Sequence, residues 1–218
     1  MSLIGHYYMS RPELPPLQEA QSLEYWTASN GVFVRAHREG IEAVIPVILR
    51  SLPIPGLFPL TTHITMEYPL VPLTMVMELL AESWKARDPQ TNAPLEALFH
   101  LRWQDGAWRW SKPDQDQQST SVTPTAPYEP SLPVPLIDLH SHHVMAPFFS
   151  DTDTRDEQGY RFYAVWGHLD SSPTLLVRLG IYGHFLPLPA SRVFELPSFL
   201  RDGFSGVALH ALGDGWLL

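Results

Sequence analysis

The chain contains no cysteine. Disulfide cross-links and thiolate metal sites are therefore excluded, and any metal must be held by histidine and carboxylate. Cations are scarce as well: 14 Lys and Arg stand against 23 Asp and Glu, a formal net charge of -9 over 218 residues. No basic run occurs, which argues against a nucleic-acid or anionic-membrane surface, where clustered cations are needed. There is no stretch of about 18 apolar residues, so no membrane-spanning helix is expected. The opening segment, MSLIGHYYMSRPELPP, lacks the basic and apolar regions of a signal peptide. The expectation is a soluble, cytoplasmic protein, a compartment that the lack of cysteine suits.

Proline is what the chain has in excess, with 22 residues clustered at 12–16, 53–72 and 113–135. Residues 32–48 read as two strands around Arg38-Glu39-Gly40, a hairpin. Pro53, Pro55, Pro59, Pro69 and Pro72 then predict an irregular stretch. From Leu73 onward, Leu73, Val76, Met77, Leu80 and Trp84 recur at helical spacing and predict an amphipathic core helix ending near Asp88-Pro89. Residues 94–103 and 105–110 form a second hairpin with Asp105-Gly106 in its turn. Residues 111–135 are polar, proline-rich and non-periodic, which predicts a long, partly disordered loop, either a solvated connector or a functional segment. Strands are expected at 135–143, 162–170 and 174–185, with a short helical turn near 151–159. The order implies an α/β sandwich on a mixed sheet. Residues 1–71 form an N-terminal extension of unknown function, and 72–218 a catalytic domain.

The chemistry lies in His140-Ser141-His142. Two histidines one residue apart on a strand point to the same face, so both imidazoles can reach one ion. Asp153 can return through the following loop as a carboxylate ligand. Two histidines, one carboxylate and one exchangeable position make a catalytic zinc site. Such a site needs a general base, and Glu96 is the best placed, at the start of the strand after the helix. Glu42, Glu67, Glu78 and Glu82 also lie upstream. Ser150 is the candidate donor to a developing oxyanion. His168 and His184 are read as structural, and Asp138 shares the face of His140.

The spacing His140-x-His142-x7-Ser150-x2-Asp153 resembles the signature of the JAMM/JAB (MPN-type) zinc metallopeptidases. Within that family the likeness over 135–185 is to the JAB protein of PRTRC gene cassettes. The resemblance covers roughly 73–185 and leaves 1–72 unassigned. It implies a mixed sheet flanked by helices in a cytidine-deaminase-like sandwich. It also implies His140, His142 and Asp153 as zinc ligands, Glu96 as base and Ser150 as oxyanion donor. The implied substrate is a ubiquitin-like or sulfur-carrier-type protein tail, processed beside an E1/ThiF-like enzyme. His143 departs from the family pattern, where proline often follows the second histidine. Two other readings compete. A catalytically silent MPN-type scaffold would bind protein partners, although inactive members usually lose ligands that this chain keeps. Asp138-Leu139-His140-Ser141-His142 also resembles the start of PHP and amidohydrolase barrels, but only 76 residues follow His142, too few to complete one.

Overall fold

The computed structural model describes residues 4–17, 23–126 and 132–204. Among these, one unit ends at Glu67 and a second runs Tyr68–Phe204.

The first unit is a five-stranded sheet, more than the single hairpin read at 32–48. Its strands are β1 (Ile4–Tyr8), β2 (Leu23–Ala28), β3 (Gly31–Arg38), β4 (Ile41–Leu49) and β5 (His63–Met66), paired in that order. β1 runs parallel to β2 and the remaining pairs are antiparallel. The β3–β4 turn is Glu39-Gly40, with Gly40 at φ 87°, where a side chain would be strained. Trp26, Phe33, Val44 and Leu60 form the centre of its core. β5 corrects the expectation of wholly irregular chain over 53–72: four residues without proline suffice for an edge strand.

In the second unit, helix α1 (Leu73–Lys85) begins after Pro72 and buries Val76, Leu79 and Ser83. The buried stripe is rotated from the expected one. Leu73, Met77 and Trp84 are 41%, 43% and 43% exposed. Ser83 lies on the buried face, where its hydroxyl accepts the indole N–H of buried Trp166 at 3.0 Å. β6 (Leu98–Gln104) and β7 (Ala107–Ser111) form the expected hairpin through Asp105-Gly106. Part of the loop expected to lack structure is a small hairpin, β8 (Gln115–Gln117) with β9 (Val122–Pro124). Next come β10 (Ile137–Ser141), helix α2 (Asp151–Asp156), β11 (Tyr160–Gly167) and β12 (Thr174–Ile181). The run 174–185 is not one strand: Tyr182 and Gly183, at φ 47° and 88°, turn the chain into β13 (His184–Leu188). A two-residue strand, β14 (Arg201–Asp202), pairs with β12.

The large sheet has the order β13-β12-β11-β10-β6-β7. β10 is parallel to β11 and antiparallel to β6, so the sheet is mixed. Every residue of β11 is buried, as befits a central strand covered on both faces. The protein is thus mixed α/β and mostly sheet. Among the described residues no helix is long and apolar enough to cross a membrane.

Candidate metal centre

β10 places His140 on the face that the alternation predicts, with His142 just beyond the strand end. Both are buried, and their Nε2 atoms lie 3.3 Å apart. Asp153 brings Oδ1 to 3.9 Å from His140 Nε2. One ligand atom from each of the three residues fits within 4.8 Å of the others, and they are the sole such group of three among the described residues. His142 Nδ1 sits 3.0 Å from the carbonyl oxygen of Ala146. A proton on Nδ1 donated to that carbonyl leaves the Nε2 lone pair facing His140 and Asp153. Burial pushes His140 down to about 4, partly offset by Asp153, and lowers His142 too. Both imidazoles are therefore neutral at pH 7, the form that a metal requires. This donor set fits a divalent metal ion such as zinc.

Asp153 is held by its own helix start. Ser150 caps α2, and its backbone N–H and hydroxyl donate to Asp153 Oδ2 at 2.6 and 2.7 Å. The Ser150 oxygen in turn accepts Asp153 N–H at 3.1 Å. The S-x-x-D spacing is therefore a capping box, and it fixes one carboxylate oxygen while the other faces His140. Ser150 reaches the cavity beside the three ligands. Its hydroxyl has Asp153 as partner.

Glu96 lies two residues before β6, almost fully buried, with Oε1 3.8 Å from His142 Nε2. Burial, with a smaller contribution from the Asp153 charge, pushes its carboxyl up to about 8. Its backbone is pinned by the small hairpin: Glu96 N–H donates to Gln118 O at 2.8 Å, and Gln117 Nε2 donates to Glu96 O at 2.6 Å. Glu96, the three candidate ligand residues and Ser150 open on one cavity of about 540 Å³. Thr120–Pro124 of the hairpin, with Met145 and Phe148, also line it.

The other sequence candidates lie outside the group of three. His143, at φ 47°, stacks on Trp84 at 5.0 Å and approaches the Trp84 carbonyl at 3.3 Å. It braces α1 against the end of β10. Neither His168 nor His184 joins the metal-ligating group. Asp138 accepts a 2.8 Å bond from Arg161 Nη1 and lines the cavity floor. Sequence reading missed Arg161 and Arg178, which are buried on the same sheet. The signal was available, since a cation inside an otherwise apolar strand must have a partner. No protein-family model and no curated protein matches this chain.

Proposed function

We propose that this protein is a zinc-dependent peptidase or isopeptidase of the JAMM type. The carrying observation is that Glu96 stands 3.8 Å from His142, at the same cavity as the His140, His142 and Asp153 group. Four residues read from a motif and an upstream glutamate thus converge from β6, β10 and α2. A mixed sheet with β10 between β6 and β11, and a helix packed through Ser83 on Trp166, suits the JAMM/MPN cytidine-deaminase-like sandwich. The resemblance to PRTRC system protein A belongs to the same reading.

Zinc, when bound, supplies a Lewis acid that polarises a carbonyl and makes water acidic enough to deprotonate near neutral pH. The chain's own residues would do the rest. Glu96 would take a proton from the attacking water and return it to the leaving amine, once the positive charge of a bound metal offsets the burial that raises its carboxyl to about 8. Ser150, at the cavity edge, would donate to the oxyanion once a substrate carbonyl competes with Asp153 Oδ2. The open wall of Thr120–Pro124 and Phe148 suits an extended chain, and a ubiquitin-like or sulfur-carrier-type tail is the proposed substrate. An E1/ThiF-like enzyme in the cytoplasm is the proposed partner.

The test has two parts. Elemental analysis of purified protein should find about one zinc per chain, lost in His140→Ala or His142→Ala. Glu96→Gln should keep the zinc while cleavage of a ubiquitin-like fusion falls by about 10²-fold or more. No zinc in reconstituted wild-type protein would refute the enzyme reading, and full activity in Glu96→Gln would move the base elsewhere. Chelator-sensitive turnover of a phosphodiester, with none of any peptide or isopeptide, would reverse the assignment.

A further inference from the structure

Arg178 points from β12 toward the segment that carries Asp153. Its guanidinium lies between two rings, 4.0 Å from the centroid of Phe149 and 4.0 Å from that of Phe185. In the guanidinium plane, Nε and Nη2 donate to Glu157 Oε2 at 2.9 and 2.5 Å, and Nη1 donates to Thr154 Oγ1 at 3.2 Å. One side chain thus grips Phe149, Thr154 and Glu157, residues on both sides of Ser150 and Asp153. The grip continues on β11, where the Tyr163 hydroxyl accepts Gly159 N–H at 2.9 Å. Gly159 lies so close that a Cβ there would come within 2.8 Å of Arg161 Nε and Nη2.

We infer that Arg178 is a positioning residue for the metal centre: by clamping residues 149–157 to the sheet it sets the distance between the Asp153 carboxylate and the two histidines. The need for a clamp follows from the elements. His140 belongs to a central strand paired on both sides, whereas Asp153 sits on a helix of only six residues with no buried residue of its own. A helix that short does not hold itself in water. Its capping box fixes Asp153 relative to Ser150, not relative to β10. Arg178 supplies that missing restraint, and arginine is the residue for it. The planar fork bonds two acceptors in one plane while both its faces stack on rings.

The inference rests on the proposed metal site, and the experiment separates the two. Zinc affinity is measured by chelator competition, and the visible spectrum is recorded after cobalt substitution. Wild-type protein, Arg178→Lys, Glu157→Gln and Arg102→Met are compared. Arg102 is an equally buried cation of the same sheet that bonds Pro133 O and Ser111 Oγ, away from α2. Arg178→Lys keeps the charge and loses the fork, so zinc affinity should fall by about 10- to 100-fold, with altered cobalt band positions. Glu157→Gln, which keeps an acceptor, should lose less. Arg102→Met should leave the cobalt spectrum unchanged even where it lowers thermal stability. Wild-type protein that binds neither metal would refute the metal-site reading itself. Metal binding in wild-type protein, with the same affinity and cobalt spectrum in Arg178→Lys and Glu157→Gln, would overturn the clamp.

Discussion

Ser150 has two demands on one hydroxyl. Its Oγ–H is donated to Asp153 Oδ2 at 2.7 Å, and the same oxygen accepts the Asp153 N–H. An oxyanion donor and a ligand-orienting cap make different predictions on removal. A residue acting only on an oxyanion would lower kcat and leave metal affinity alone. The capping box instead couples the two. Ser150→Ala should weaken zinc binding by roughly 10-fold and lower the stability of the protein by about 1 kcal/mol. Chelator titration and urea denaturation of the variant measure both, and unchanged zinc affinity would confine Ser150 to catalysis. Such pairs show why the grouping of His140, His142 and Asp153 was legible from sequence. The x-spacing of His140 and His142 fixes their common face, and the three-residue step from Ser150 to Asp153 is a local helix-start geometry. Arg178 was not legible in the same way. Its partners Phe149 and Glu157 are local to each other but lie 29 and 21 residues away from it.

At the scale of elements, the β8–β9 hairpin corrects the expectation of a plain loop. Hydrophobic periodicity missed it because it does not use a hydrophobic face. It docks through amides. The Gln115 side chain accepts from Leu98 N–H at 2.8 Å and donates to Leu98 O at 3.2 Å, standing in for a neighbouring strand. Gln117 and Gln118 then hold the backbone of Glu96 from both sides. The hairpin is therefore two things at once, a wall of the cavity and the mount of Glu96, the proposed base. Gln117→Ala should lower kcat several-fold with zinc content unchanged, because the base moves and the ligands do not. Replacing Thr120 and Ser121, in the hairpin turn, with glycine should mainly raise KM, because both line the cavity and lie outside the paired strands that hold Glu96. Steady-state kinetics on one substrate separate the two effects. Helix α1 has the opposite lesson. Its helical period was correct and Val76 is buried as expected, but Leu79 and Ser83 join it on the buried face while Met77 and Trp84 are each 43% exposed.

Across the whole molecule, what escaped the sequence was long-range pairing. The parallel contact of β1 with β2 depends on a partner that no local pattern names. The same long-range burial sets the response to acid. His100, His140, His142 and His143 are all buried, and in each case burial is the main cause that lowers the pKa. Unfolded, each takes a proton near pH 6.5. Below that pH the unfolded chain binds more protons than the folded one, so stability falls as pH falls, down to about pH 4 for His140. Glu96 and Glu157 act the other way. Their burial raises them to about 8, so they favour folding as pH falls from 8 toward 4.5. Toward pH 8 the carboxyls dominate, and near and below pH 6.5 the histidines oppose them, each shielded group contributing at most about 1.4 kcal/mol per pH unit. The metal-free protein should therefore gain stability as pH falls from 8 toward 6.5 and stop gaining below it. With zinc, stability should be lost toward pH 5, since acid also displaces the metal from His140 and His142. Urea midpoints at pH 8, 7, 6 and 5, with and without zinc, measure this. A metal-free midpoint that rises continuously from pH 8 to 5 would mean that the carboxyls outweigh the histidines.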